Sequence, residues 1–191
     1  MIPVFHRCSD QDRAALHAMR DQTEVWLTDH GFAEQANQRW SGRAHAAIDR
    51  LLDQGRFVGL YIEGEPVVIA ALAGPDMDFW TDADDLHAAW YIARMMTNRH
   101  GEGYGRQLVQ LIAVAAAADG RRFLRLDCMR ENTRLHAYYR RLGFEPVRIV
   151  EHPQRRSGAL FQLPLSDLLP APWDEGWSGP GVFPGWPSFE G

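Results

Sequence analysis

The chain contains no lysine: all 20 of its basic residues are arginine. That absence excludes a lysine Schiff base and the lysine of a phosphate-binding P-loop. Cysteine is nearly as scarce. Cys8 and Cys128, the only two, lie too far apart in sequence for a disulfide framework or a zinc site and fit a reducing, cytoplasmic setting. No apolar run approaches the roughly 20 residues that cross a bilayer, so no membrane association is expected. The opening stretch MIPVFHRCSD lacks the basic patch and apolar core of a secretory leader. Acidic residues outnumber basic ones, and the formal charge of −5 argues against nucleic acid as a partner, because phosphate backbones need a cationic surface.

What remains is an ordinary globular composition, 46% hydrophobic and 24% charged over 191 residues, enough for one domain with its own core. Ile2–Phe5 is short and apolar, an opening strand. Ser9-Asp10-Gln11-Asp12 reads as a helix cap. Apolar residues then recur at Leu16, Met19, Val25 and Trp26, up to a stop at Gly31. A second helix is expected from Arg43 to Gln54, with Ala47, Ile48, Leu51 and Leu52 on one face and Gly55 as its end. The period then changes. Phe57–Ile62 and Val67–Leu72 read as strands, and Glu63-Gly64-Glu65-Pro66 between them as the turn of a hairpin.

Gly74 to His87 is polar, with Asp76, Asp78, Asp82, Asp84 and Asp85 around Phe79 and Trp80. It reads as a loop, either a solvated acidic face or a surface for a cationic amine. Beyond it the order is strand (Ala89–Thr97), helix (Arg106–Asp119), strand (Phe123–Asp127), helix (Asn132–Leu142) and two closing strands (Pro146–Val150 and Ala159–Leu163). Strand, helix, strand implies a parallel crossover within a mixed sheet. Residues 1–165 are expected to form one domain and 166–191 a tail. In the tail Pro170, Pro172, Pro180, Pro184 and Pro187 alternate with glycines and with Trp173, Trp177, Phe183, Trp186 and Phe189. Such density of Pro and Gly forbids regular structure, leaving either docking of the aromatics on a surface or disorder.

The most informative stretch joins the third strand to its helix: Asn98-Arg99-His100-Gly101-Glu102-Gly103-Tyr104-Gly105. Three alternating glycines before a helix let the backbone curl around a ligand, and the first-turn amides favour phosphate. A tight turn with no ligand is the competing explanation. The dinucleotide fingerprint fails, because Arg106 and Leu108 stand where its last glycine is required, and a Walker A loop fails for want of lysine.

These residues resemble the GNAT superfamily of acyl-CoA-dependent N-acetyltransferases, whose cofactor loop runs Arg/Gln-x-x-Gly-x-Gly/Ala between a strand and a helix. Here the match is His100-x-x-Gly103-x-Gly105. Leu124-Arg125-Leu126-Asp127-Cys128, Glu131-Asn132, Leu135, Tyr138-Tyr139 and Leu142-Gly143-Phe144 follow the order of the family's second half. The resemblance covers about Ala89 to Pro146. It departs from the pattern in having His100 where Arg or Gln is usual, with Arg99 and Arg106 as alternative sources of charge, and in a somewhat shorter loop.

The resemblance implies an α+β fold of three layers (α/β/α), with a mixed, mostly antiparallel sheet and one parallel strand-helix-strand crossover. It implies acetyl-CoA as co-substrate, a primary amine of a small molecule or peptide as acceptor, direct attack, and no metal. Main-chain groups of Met95, Met96 and Thr97 would pair with the pantetheine arm. Amides from His100, Gly101, Glu102, Gly103, Tyr104, Gly105 and Arg106 would hold the pyrophosphate, and Asn132 would hydrogen-bond the cofactor. Tyr139 would protonate the departing thiolate, and the amide near Met96 would steady the oxyanion. A homodimer is a common solution for such a fold. The alternative within the same fold is an acyl-CoA-binding regulatory or scaffold protein without catalysis.

The remaining candidates are read from position. Asp127 ends an apolar strand, either near the site as base or substrate anchor or as a hydrogen-bonded strand-end carboxylate. Tyr138 is expected in the core or facing the sheet, since adjacent helical residues diverge by about 100° and both cannot face the sulfur. His87 and His136 are expected on the surface, and Cys128 as a small buried hydrophobe.

Overall fold

A computed structural model describes residues 2–31 and 41–166; the expected C-terminal aromatic tail lies almost wholly outside the described residues. Strand β1 (Val4–Arg7) leads through a short 3-10 turn into α1 (Arg13–Asp29), followed by α2 (Ser41–Asp53), β2 (Phe57–Ile62), β3 (Glu65–Ala73) and β4 (Ala89–Thr97). Then come α3 (Tyr104–Ala118), β5 (Phe123–Met129), α4 (Thr133–Arg141), β6 (Glu145–Ile149) and β7 (Ser157–Pro164). The strands form one seven-stranded sheet in the order β1-β2-β3-β4-β5-β7-β6. Pairing is antiparallel at β1–β2, β2–β3, β5–β7 and β6–β7 and parallel at β4–β5. The mixed sheet with its α3 crossover is therefore as expected. No described helix is long and apolar enough to cross a membrane.

Contacts divide the chain into two units, Met1–Leu72 with Arg94–Leu108, and Ala73–Ala93 with Val109–Gly191. In the first unit, Ser9 N and Oγ both donate to the Asp12 carboxylate, at 2.6 and 3.1 Å, which starts the helical path ahead of α1. Leu16 and Met19 of α1 are buried, but Val25 is 61% exposed and does not extend their stripe. Nine residues beyond Leu16, at about 100° per residue, Val25 comes round to the opposite side of the helix. The buried position is instead Glu24, paired with Arg20 at 3.2 Å. The opening strand is also displaced: it covers Val4–Arg7, and Ile2 is exposed. Every residue of β2 is buried, as are Pro66–Leu72 of β3, the signature of strands covered on both faces. Their hairpin closes through Glu63 and Gly64, both at positive φ (54° and 85°), the two-residue turn whose twist suits a hairpin.

In the second unit, β4 and β5 run parallel over Ala89–Tyr91 and Phe123–Arg125. Phe79, Trp80, Ala89, Tyr91 and Leu160 form a core cluster. Into it reaches Arg125, only 4% exposed, its guanidinium 4.9 Å from the Trp80 ring centroid and 5.0 Å from that of Phe123. It donates to the Tyr91 hydroxyl at 3.1 Å and to the Asp85 carbonyl at 3.3 Å. Arg125 has no carboxylate partner among the described residues, and a buried cation of that kind is costly unless aromatic faces and hydrogen bonds replace its water; both are present here.

Candidate active site

The glycine turn belongs to the first unit, and its base is tied to β3. Thr97 Oγ1 donates to the Val67 carbonyl at 2.8 Å and accepts from Arg99 N at 3.0 Å, while Asn98 Nδ2 donates to the Pro66 carbonyl at 3.3 Å. Upstream, within β4, Arg94 has φ +50°. A left-handed non-glycine residue inside a strand is uncommon and concentrates at functional sites. Of the three residues expected to meet a pantetheine arm, Met96 is buried and Met95 and Thr97 are half-buried.

Gly101 and Gly103 both have φ +84°, which L side chains adopt only with strain, and a Cβ built at either would meet no heavy atom within 4 Å. The turn is glycine because of its backbone conformation and not because anything in the protein crowds it. His100, Gly101, Glu102 and Gly103 are exposed. Gln107 N donates to the Gly103 carbonyl at 3.2 Å, so the amides of Tyr104, Gly105 and Arg106 lie in the first turn of α3, where no intrahelical acceptor exists. Helix-end amides, open turn and positive helix pole together suit a phosphate. His100 lies against Trp26 of α1, ring centroids 4.4 Å apart and planes 8° from parallel. Burial and the neighbouring His30 hold the His100 imidazole below its ordinary pKa.

The second unit carries the other expected residues. Asn132 is buried and caps α4, its Oδ1 accepting from Leu135 N at 2.9 Å. Tyr139 is buried against Phe144 and Phe161, with ring centroids 5.6 and 6.1 Å away. Tyr138, expected in the core or facing the sheet, is half-buried, its ring 5.5 Å from that of Tyr139; of the two, about 100° apart on the helix, Tyr139 is the buried one. Burial is the largest of the causes that push the Tyr139 phenol far above its ordinary pKa, so it is fully protonated near neutrality. Asp127 is also raised, first by burial and then by the nearby Asp76 charge, with Arg155 and a Ser157 hydrogen bond opposing. Cys128 is buried and its thiol is pushed up to about 12, which leaves it neutral and unsuited to nucleophilic attack. His136, expected on the surface, is buried, with a ring nitrogen 2.8 Å from the Met129 carbonyl. His87 is exposed as expected.

The acidic loop is solvated at Asp78, Asp82 and Asp85, which are exposed, and most of its carboxylates are held by arginines. Asp84 holds Arg148 through two contacts of 2.6 Å, and Arg148 also donates to the Phe79 carbonyl at 3.0 Å. Arg155 contacts Asp76 at 2.6 Å and Asp78 at 2.8 Å, and Asp85 pairs with Arg122. The arginines sit 37 to 79 residues away in sequence, with no periodic signal to reveal them. Of Trp26 and His30, the sequence shows only the i, i+4 spacing; the stack of Trp26 on His100 is not legible there.

Three comparisons bear on this arrangement. A family profile described as the acetyltransferase (GNAT) family matches residues 13–144. A curated relative, "Uncharacterized N-acetyltransferase YesJ" of Bacillus subtilis (strain 168), is 27% identical over 153 residues, spanning 74% of this chain and 82% of the relative. Among solved structures, the PaiA N-acetyltransferase of Thermoplasma acidophilum in complex with coenzyme A superposes with TM-score 0.65 at 14% identity, covering 86% of this chain and 99% of that one. A GNAT-family acetyltransferase of Listeria monocytogenes 4b F2365 gives TM-score 0.59 at 21% identity, covering 85% and 94%. At these identities the structural matches establish the fold.

Proposed function

This chain belongs to the acetyltransferase (GNAT) family, and we propose that it transfers an acetyl group from acetyl-CoA to a primary amine of a small molecule or peptide. The observation that carries this reading is the glycine turn: two left-handed glycines, exposed and uncrowded, directly before the first-turn amides of α3. The residues fit the co-substrate. Amides from His100 to Arg106 hold its pyrophosphate, main-chain groups of Met95, Met96 and Thr97 hold its pantetheine arm, and Asn132 contributes a hydrogen bond beside its capping role. Two buried, neutral thiols, Cys8 and Cys128, suit a reducing cytoplasmic setting and leave direct attack as the route.

In that route the amine nitrogen forms a bond to the thioester carbonyl carbon and the carbon–sulfur bond breaks. Tyr139 gives its phenolic proton to the departing sulfur, and the amide near Met96 stabilises the oxyanion. Asp127 takes the proton the amine sheds; its raised pKa makes it a stronger base than an ordinary carboxylate.

Thermal unfolding with acetyl-CoA, followed by thiol release over a panel of amines, tests the reading. Acetyl-CoA should raise Tm by mass action, and Gly103→Val should abolish the rise. Tyr139→Phe should lower kcat and kcat/KM together by roughly 10²- to 10⁴-fold with cofactor affinity nearly unchanged, whereas Tyr138→Phe should do little. No Tm shift at millimolar acetyl-CoA overturns the cofactor assignment. Full activity in Tyr139→Phe overturns its role as the acid.

A further inference from the structure

Neither Trp26 nor His30 has a part in the chemistry above, yet Trp26 stacks on the loop that would hold the cofactor and His30 stacks on Trp26. The Trp26 indole stacks on His100 at 4.4 Å and 8° and on His30 at 4.1 Å and 21°. Trp26 and His30 lie one turn apart at the end of α1, and His30 Nδ1 is 2.8 Å from the Trp26 carbonyl oxygen; a carbonyl only accepts, so Nδ1 carries the proton. The last turn of one helix thus fixes the plane of the first side chain in the glycine turn. A ring held flat has already lost its rotamer freedom before a ligand arrives, and the indole face favours the imidazolium over the neutral ring.

We infer that Trp26 is a positioning residue that holds the His100 imidazole for the cofactor's pyrophosphate, which makes cofactor binding proton-linked at the position where the resembled family carries Arg or Gln. This rests on the acyl-CoA reading of the glycine turn. The mechanism follows from charge. In the free protein burial and His30 favour neutral His100, and a bound pyrophosphate favours the charged form. The pKa is therefore higher in the complex, so the added affinity is full below the free-state pKa and is lost as pH rises through the bound-state pKa. Other ionisable groups at the adjoining ends of these elements are Asp29 at the end of α1, His30 just after it, Arg106 of α3, and Arg99 and Glu102 of the turn, the last two 3.9 Å apart. Of these only His30 is also a histidine.

The test is calorimetric titration of the full chain with dephospho-CoA from about pH 5 to about pH 8, in two buffers of different ionisation heat. Dephospho-CoA retains the pyrophosphate and lacks the 3′-phosphate, whose own titration near pH 6 would mimic the effect. The wild type should bind about tenfold more tightly at the acidic end and take up a proton. His100→Gln should give a flat profile and His100→Arg tight binding at both ends, while His30→Gln should keep the slope. Trp26→Ala should lose most of the slope and Trp26→Phe restore it, which separates positioning from damage to α1. A wild-type profile as flat as that of His100→Gln, or a full slope in Trp26→Ala, overturns the inference while the acyl-CoA reading stands. Absence of binding by both acetyl-CoA and dephospho-CoA at every pH overturns the two together.

Discussion

The turn from Asn98 to Gly103 and the connection from Gly74 to Ala88 are both polar links attached to β4, yet they use their polar groups in opposite ways. In the acidic connection most of the charges are paired within the protein: Asp76, Asp78, Asp84 and Asp85 each meet an arginine, and Phe79 and Trp80 between them are buried. In the glycine turn the ion pair Arg99–Glu102 is long at 3.9 Å and half-exposed on both sides. Its glycines face open space. A run of like charges in a sequence therefore does not by itself mark recognition. Charge with its partners inside the protein is architecture, whereas main-chain groups without crowding around them are available to a ligand.

The largest test of this contrast compares two glycines at positive φ. Gly158 has φ +124°, and a Cβ there would overlap the Val150 carbonyl oxygen and press on Phe79. Gly158→Ala should cost at least about 3 kcal/mol in denaturant unfolding, from backbone strain and clash together. A loss under about 1 kcal/mol would mean that the β6–β7 hairpin yields easily and that the packed side of the comparison is overstated. The uncrowded Gly103 should show the reverse balance, with ligand binding lost and stability reduced by only about 1–2 kcal/mol, the usual cost of a left-handed L residue.

Next comes the Asp84–Arg148 clamp. Asp84 is 12% exposed but Arg148 35%, so solvent screening discounts the pair, and Asp84→Asn should cost about 2 kcal/mol at neutral pH. The sign with pH is fixed by direction. The Arg148 guanidinium, and secondarily Thr81, hold the Asp84 carboxyl well below the usual carboxylate range. Its stabilisation is complete above the unfolded-state pKa of about 3.9 and falls away as pH drops through the folded-state value. The difference between wild type and Asp84→Asn in thermal unfolding should therefore shrink on acidification below about pH 4. A difference that grew in acid would remove the clamp from the account. The smallest effect belongs to the open turn: Glu102→Gln should change stability by less than about 0.5 kcal/mol, checked by the same unfolding measurement.

Much of the architecture was legible in order and type. β2 and β4 fall on their expected residues because central strands write strong local signals, whereas the four-residue β2–β3 turn tightens to Glu63-Gly64 at positive φ, since Glu65 and Pro66 already pair in β3. Gly31, Gly55, Gly120 and Gly143 end or follow their helices at positive φ, again a local property. The glycine turn was legible for the same reason, since backbone curling before a helix depends on the residues that curl.

What failed was whatever depends on where a side chain goes. Tyr138 and Tyr139 share one helix turn and one residue type, so only packing against Phe144 and Phe161 decides that Tyr139 is the buried one. His136 became a core residue because the Met129 carbonyl lies 2.8 Å away, and the acidic loop became a clamp because Arg148 and Arg155 arrive from the β6–β7 hairpin. By itself the sequence determined the alternation of strands and helices and the open turn ahead of α3, because backbone preference and hydrophobic period act within a few residues. The pairing of each charge, the inward tyrosine and the Trp26–His100 stack were decided only by tertiary structure, because Coulomb attraction, desolvation and ring contact depend on distance in space and not on separation along the chain.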